Sequence, residues 1–497
     1  MLKNEVNLVD SPPEADAIYT IPAELAQKHH VLPVKIADSI LYLAMSDPAN
    51  VVAIDEVKLT TGYDICPLAA DQDQLAAEIA NYYGALDSII RYANNEKESG
   101  GNEEIPCLTV SNTKTLSTTD IIHSLFEQAI QQRASDIHLE PTTDGGQVRF
   151  RIDGILHLQV KLDIRLLTAV VTSLKVQSGM DIAQRLSPQD GRMELNCSNQ
   201  QIDVRLASLP TIKGEKLVLR LLNRSTRITN IDKLGLTTQV RDRLHRFLKQ
   251  SGGILLVTGP TGCGKTTTLY TILQQLNTME KNIITIEDPV EYYIPGINQV
   301  QVNSKAGINF ANGLRAILRQ DPNIIMVGEI RDHETATMAV RAALTGHLVL
   351  STLHTKDAAS AITRLLDMGI EPYLLASAIS GVMAQRLVRC LCPNCSQTRT
   401  PDKEEQMLLK QHGIVRTTLK AGRGCSLCRY TGFQGRTAIA EILDITSAIQ
   451  QLIYNCCTTE EIRQQAIKEG MVPLLTDGLL KAATGQTTIS EVIQAVN

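Results

Sequence analysis

Hydrophobic positions change their period twice along the chain. Over 1–93, Ala23 to His30, Asn50 to Thr61 and Gln72 to Tyr83 space their apolar residues for helices, and Ile40 to Met45 fits a strand. These elements predict a small α/β domain that carries neither a phosphate loop nor an acid/base pair. From Asn94 the chain reads NNEKESGGNEE, too polar and glycine-rich to enter a core, so 94–107 is expected to be a flexible linker. Beyond it, Asp120 to Gln132 reads as an amphipathic helix. Asp136 to Glu140 and Gln147 to Ile152 read as strands turning at Asp144, Gly145 and Gly146, which predicts a second α/β domain over 108–224.

Past 225 the pattern becomes short, continuously apolar runs separated by helical ones: Ile254 to Val257, Ile283 to Ile286, Ile324 to Val327 and Leu348 to Ser351. Runs apolar on both faces, alternating with helices, predict a parallel, doubly wound sheet over 225–389. Leu374 to Ala384 is the richest apolar stretch, but Ser377, Ser380 and Gly381 interrupt it, and it is expected to be a buried helix. No run approaches the roughly 18 apolar residues of a membrane span.

Composition refines this picture only at its edges. A chain of 497 residues with 43% hydrophobic and 20% charged residues is a multi-domain globular protein. Its net charge of −5 lacks the basic balance of sequence-independent nucleic-acid binding, so no nucleic-acid partner is expected. The stretch from Met1 to Asp10 has no signal-peptide pattern, and a cytoplasmic location is expected.

Gly259-Pro260-Thr261-Gly262-Cys263-Gly264-Lys265-Thr266 fits G-x-x-x-x-G-K-[ST] between a predicted strand and the helical run Thr267 to Leu276. Glycines there let backbone N–H groups curl around the phosphates of ATP, at the positive end of the following helix. Lys265 is expected on the β/γ-phosphates and Thr266 on Mg2+. Cys263 fills a variable position where a small side chain suffices. The helix N-terminus and Lys265 would lower its pKa and open it to alkylation.

Three further stretches choose among the users of such a loop. Ile283 to Ile286 delivers Glu287 and Asp288, Asn323 to Val327 ends in Gly328-Glu329, and Leu348 to Leu353 lies between His347 and His354. Glu329, at a strand end beside the phosphate loop, is the candidate to polarise the attacking water. ITIEDPVEY, LRQDPNIIMVGEIRD and TGHLVLSTLHT together resemble the ATPases of type II secretion and type IV pilus assembly. Upstream matches are ASDIHLEP, VRFRIDGIL, SPQDGR and GEKLVLRLL, so the resemblance covers about three quarters of the chain.

The resemblance implies a RecA-like ATPase core in a homo-hexamer, with 108–224 as a second, PAS-like N-terminal domain whose Arg205 and Arg220 close on the γ-phosphate. It implies that Glu287 helps hold Mg2+ or its waters, that His347 and His354 sense nucleotide, and that Arg315, Arg319 and Arg331 lie at subunit contacts. The domain over 1–93 would dock on an inner-membrane secretion-platform protein, leaving the ATPase peripheral on the cytoplasmic face. Departures fall at Lys356, Asn323 and VRLASLPT, none of them a phosphate ligand. Pilus extension is the alternative within the family. A DNA translocase would call for a basic pore, and a non-hydrolysing scaffold would not need Glu329.

Cys392-x-x-Cys395 and Cys425-x-x-Cys428 are separated by 29 residues and are expected to form one closed Zn2+ site in a module over 390–436, with a helical subdomain over 437–497. Ten Lys and Arg residues between Arg386 and Arg436 stand against Asp402, Glu404 and Glu405, a basic face suited to anionic lipid or an acidic partner.

Overall fold

The computed structural model describes residues 13–18, 20–37, 40–83, 107–108, 117–197, 200–223 and 230–497, with Val6 and Leu8 near the start. The expected linker over 94–107 lies, apart from Cys107, outside the described residues. The chain separates into two compact units. One is Met1–Thr226 with Cys392–Cys395 and Arg423–Gln434; the other is Arg227–Leu391 with Ser396–Gly422 and Gly435–Asn497.

In the first unit, β1 (Val31–Ala37), β2 (Ile40–Met45) and β3 (Asp64–Ala69) form a three-stranded sheet with β1 and β2 antiparallel and β2 and β3 parallel. The helices Ala23–His29, Val51–Thr61 and Gln72–Tyr83 accompany it, as their periodicity predicts. A second sheet holds β4 (Cys107–Leu108), β5 (Asp136–Thr142), β6 (Gly145–Ile152), β7 (Ile155–Leu162), β8 (Gln189–Cys197), β9 (Gln200–Thr211) and β10 (Gly214–Asn223), in the order β4-β7-β6-β5-β10-β9-β8. Alternation in β6 buries Val148, Phe150 and Ile152 on one face, where the helices Thr118–Gln131 and Ile164–Gln177 contribute to the same core.

The second unit is built on β11 (Gly253–Thr258), β12 (Ile283–Glu287), β13 (Asn298–Gln301), β14 (Ile324–Val327), β15 (Leu348–Leu353), β16 (Ile379–Leu391) and, after the short pair β17 (Ser396–Arg399) and β18 (Leu419–Gly422), β19 (Phe433–Asp444). The order is β13-β12-β14-β15-β11-β16-β19, and the pairs from β13 through β16 are parallel. Successive β11 residues enter different cores: Ile254 and Leu256 belong to one cluster, Leu255 and Val257 to another. That double burial explains the unbroken apolar runs.

Two expectations are corrected. Leu374 to Ala384 is not one helix: the helix Pro372–Ala378 gives way to β16 at Ile379. Gly381 sits opposite Leu255, where a Cβ would meet the Phe247 ring at 2.4 Å, so only glycine lets the strand pass. The 437–497 segment is not purely helical either, because Ala438, Ile439, Ala440, Ile442 and Leu443 are buried in β19 as part of the main sheet. Among the described residues no helix is long and apolar enough to cross a membrane.

Candidate active site and metal centre

β11 ends at Thr258, and the chain turns through Gly259, Gly262 and Gly264 at φ 150°, 79° and 91° before the helix Lys265–Leu276. A Cβ at Gly259 would lie 2.5 Å from the Gln385 carbonyl oxygen and 2.6 Å from Cys263 Sγ, so the loop closes only around glycine. Gly264 caps the helix without a side-chain hydrogen bond, which leaves first-turn N–H groups for an anion. Lys265 Nζ donates to the carbonyls of Gly259 at 2.7 Å and Pro260 at 3.0 Å, so its amine lies along the loop. Burial lowers its pKa, opposed by Cys263 and Glu329. Thr261, Gly262, Thr266 and Thr267 are exposed. Backbone donors, an amine and free hydroxyls suit a polyphosphate with Mg2+.

Cys263 corrects the expectation of reactivity. It is buried, and burial pushes its thiol pKa up despite the opposing pull of Lys265. Desolvation of a thiolate outweighs the nearby cation.

Glu329 stands just beyond β14, its side chain only 13% exposed, with Arg331 Nη2 at 2.5 Å and His354 Nε2 at 3.6 Å from its carboxylate. Two hydroxyls from β15 hold the strand that delivers it: Ser351 donates to the Val327 carbonyl at 2.7 Å and Thr352 to the Gly328 carbonyl at 2.8 Å. Burial lowers the His354 pKa, as does Lys265, while Glu329 opposes. Lys265, Glu329, Arg331 and His354 therefore form one electrostatic group at the C-terminal ends of the parallel strands, where open α/β sheets bind ligands.

Two predicted members fall outside that group. His347 precedes β15 and His354 follows it, so they stand about 23 Å apart at about 3.3 Å per residue. The His347 ring bonds the Ala342 carbonyl at 2.9 Å, which makes it a strand-end brace within this chain. Glu287 is 4% exposed with both carboxylate oxygens engaged, by Thr285 at 2.6 Å, Gln299 at 3.2 Å and the Tyr270 hydroxyl. Tyr270 lies on the phosphate-loop helix, so Glu287 ties that helix to β12. Burial raises the Glu287 pKa. Arg315 pairs with Glu334 at 2.9 Å, and Arg319 donates to the Arg315 carbonyl at 3.1 Å.

In the first unit, Arg205 of β9 and Arg220 of β10 are direct cross-strand partners. Arg192 of β8 lies opposite Arg205, and Asp136 of β5 lies opposite both Arg220 and Arg151. Directly opposed residues share a face, so four arginines and one buried aspartate form a row across the sheet. Arg220 Nε bonds Asp136 at 3.0 Å while its side chain remains 63% exposed.

The four cysteine sulfurs lie together and buried. Sγ separations are 3.8 Å for Cys392 and Cys425, and 3.7 Å for both Cys395 and Cys425 against Cys428. A tetrahedron of Zn–S bonds near 2.3 Å has edges of about 3.8 Å, so the thiols fit Zn2+ without rearrangement. Backbone N–H groups of Gly424, Cys425 and Gly432 point at the sulfurs of Cys395 and Cys428 at 3.2–3.3 Å, orienting the ligands. The long spacer is explained by the β17–β18 hairpin and the helix Lys403–Gln411, where Leu409, Ile414 and Leu419 pack with Leu479, Ala482 and Ile489. The expected basic face is reduced: Arg386 is buried, and Arg389 and Arg399 pair with Glu491 and Glu405 at 2.5 Å.

The family described as Type II/IV secretion system protein matches residues 112–494, and a MshEN domain matches residues 5–89. The chain belongs to the Type II/IV secretion system protein family. The type II secretion system ATPase E of Vibrio cholerae is 39% identical over 503 residues, covering 98% of each chain. The type IV pilus assembly ATPase PilB of Myxococcus xanthus is 40% identical over 500 residues, 98% of this chain and 88% of the relative. PilB of Thermus thermophilus is 42% identical, and this chain spans 55% of its length. Among solved structures, the pilus retraction motor PilT with bound ADP is 27% identical at a TM-score of 0.53, covering 75% of this chain and 96% of that one.

Motif reading of this secretion-family chain missed four residues. Arg151 and Arg192 lie inside quoted motifs, but only strand register aligns them with Arg205 and Arg220. Gln385 and Arg386, on β16, lie behind the phosphate loop. The Gln385 amide donates to the Cys263 carbonyl at 2.9 Å and accepts from Thr268 at 2.8 Å. Arg386 donates to the Lys356 carbonyl, just past His354, and to the Gln385 carbonyl at 2.9 Å. A Gln-Arg pair inside the buried run Gly381 to Arg386 of β16 was the available signal.

Proposed function

We propose that this chain is a Mg2+-dependent ATPase that works as a homo-hexamer on the cytoplasmic face of the inner membrane and powers type II protein secretion by driving pseudopilus assembly. The observation that carries this reading is the correspondence with the Vibrio cholerae secretion ATPase over 98% of both chains. The convergence of Lys265, Glu329 and His354 at the phosphate loop agrees with it.

In this reading the phosphates of ATP lie along the N–H groups of the loop, and Lys265 exchanges the carbonyls of Gly259 and Pro260 for phosphate oxygens. Thr266 offers its hydroxyl to Mg2+. Held there, Mg2+ would supply positive charge against the nucleotide phosphates. Glu329 takes a proton from the attacking water, which requires the exposed Arg331 to swing away from it. His354, its pKa held below the usual 6.5, is mainly neutral at pH 7 and can accept a hydrogen bond beside Glu329. Arg205 and Arg220, flanked by Arg192 and Arg151, bring positive charge to the γ-phosphate. The four thiolates hold Zn2+ in a closed, structural sphere, and the N-terminal domain docks on an inner-membrane platform protein.

Type IV pilus extension is the second reading, favoured by the PilB relatives at 40% and 42% identity. The test is ATP hydrolysis by the purified chain across a concentration series, with added cytoplasmic domain of a secretion-platform or a pilus-platform protein. We expect turnover to rise with concentration and with the secretion component, and Glu329→Ala to lower it by about 10²-fold or more. Stimulation by the pilus component alone would select the second reading. No turnover under any condition would reject both.

A further inference from the structure

The helix Thr118–Gln131 is set firmly at its start and along one side. Ser117 and Asp120 close a capping box, and Ile121, Ile122, Leu125 and Phe126 enter the core of the second domain. That anchoring turns His123 and Glu127, one helical turn apart, together onto the less buried face, with His123 Nδ1 3.5 Å from a Glu127 carboxylate oxygen. Cys197, the last residue of β8, is 2% exposed. The imidazole nitrogen, the carboxylate oxygen and the sulfur all lie within 4.8 Å of one another.

One nitrogen, one oxygen and one sulfur donor are the ligands of Zn2+ and its neighbouring divalent transition metals. Hard cations such as Mg2+ and Ca2+ call for oxygen donors throughout. A simple i,i+4 ion pair would account for His123 and Glu127 alone, whereas the fold also brings a sulfur donor from β8 to within 4.8 Å of both. We propose that His123, Glu127 and Cys197 form a second transition-metal site, one that takes Zn2+ and is separate from the four-cysteine centre. Three protein ligands leave a fourth position to water, so this ion exchanges with solvent and is held less tightly than one enclosed by four thiolates.

The position gives the site a consequence. β8 is the edge strand of its sheet among the described residues, paired only with β9, and it carries Arg192 of the arginine row. An ion joining the end of β8 to the helix would pin that edge and limit its fraying.

The experiment is the zinc stoichiometry of the full-length chain, stripped by chelation under reducing conditions and titrated against a chromophoric zinc competitor, with elemental analysis as a check. Wild type should bind two equivalents per chain and His123→Ala one. His123 is 55% exposed, so its removal leaves the fold intact. Cys392→Ser should lose the other equivalent and keep this one. Glu127→Gln should weaken the second equivalent by at least about tenfold, a loss that even an outer-shell partner can cause. Zn2+ should also slow alkylation of Cys197 in wild type and not in His123→Ala. A wild-type chain that binds one equivalent or none, or a His123→Ala variant that keeps both, overturns the site.

Discussion

Gln385 and Cys263 are 122 positions apart in the chain, yet the side-chain amide of the first donates to the carbonyl of the second at 2.9 Å. The same amide accepts from Thr268 at 2.8 Å, so one side chain spans the phosphate loop and the first turn of its helix. Gln385→Ala would leave a buried carbonyl and a buried hydroxyl unpaired, a cost of about 1–3 kcal/mol. Much of that cost should appear as a looser loop, with nucleotide affinity about tenfold weaker in a folded protein. Titration with a fluorescent nucleotide analogue checks this, and an unchanged Kd would mean that the loop keeps its shape without Gln385.

Glu287 gives a second prediction. Its contacts with Tyr270, Thr285 and Gln299 make it a brace on the phosphate-loop helix. Glu287→Gln should lower Tm, by about 2–4 °C for each kcal/mol lost in a unit of this size, and leave the Mg2+ concentration for half-maximal turnover unchanged. A raised Mg2+ requirement at constant Tm would return Glu287 to the ion.

Thiol labelling distinguishes the two faces of the cysteine inventory. Cys456 is exposed, whereas Cys263 is buried with its pKa pushed up by burial. In native protein at neutral pH, iodoacetamide should modify Cys456 well before Cys263, as read by peptide mass spectrometry. Faster modification of Cys263 would show that the loop opens far more often than its packing implies.

The Glu140 carboxylate predicts a pH signature in the first unit. Burial pushes its pKa up, but hydrogen bonds from Arg149 at 2.6 Å, Lys216 at 2.7 Å and Gln147 at 3.0 Å overcome that and hold it at about 2. A depressed carboxylate stabilises the fold fully above its ordinary value of 4.5, and the contribution is lost as pH falls through the folded value. The stability gap between wild type and Glu140→Gln should thus be constant from pH 6 to 8 and shrink between pH 4.5 and about 2. Denaturant melts at each pH measure it, and a gap independent of pH would remove the ion cluster from the account.

Whatever depends on local spacing is legible in the chain alone. The phosphate loop between strand and helix, the acid at the end of β14 and the paired Cys-x-x-Cys knuckles are contiguous patterns, and each takes its expected place. Strand runs apolar on both faces likewise announce a sheet covered on both sides. Tertiary structure alone decided which way a side chain points and what meets it from far along the chain. Glu287 ends β12 and Glu329 stands just beyond the parallel β14, but one turns to Tyr270 and the other to Arg331 and His354. His347 and His354 share one motif, yet a six-residue strand carries them to opposite ends of the sheet. The arginine row exists only in the register of β8, β9, β10, β5 and β6. The physical reason is common to all three: spacing sets periodicity within an element, whereas desolvation and hydrogen-bond pairing are settled by neighbours that only the packed sheets bring together.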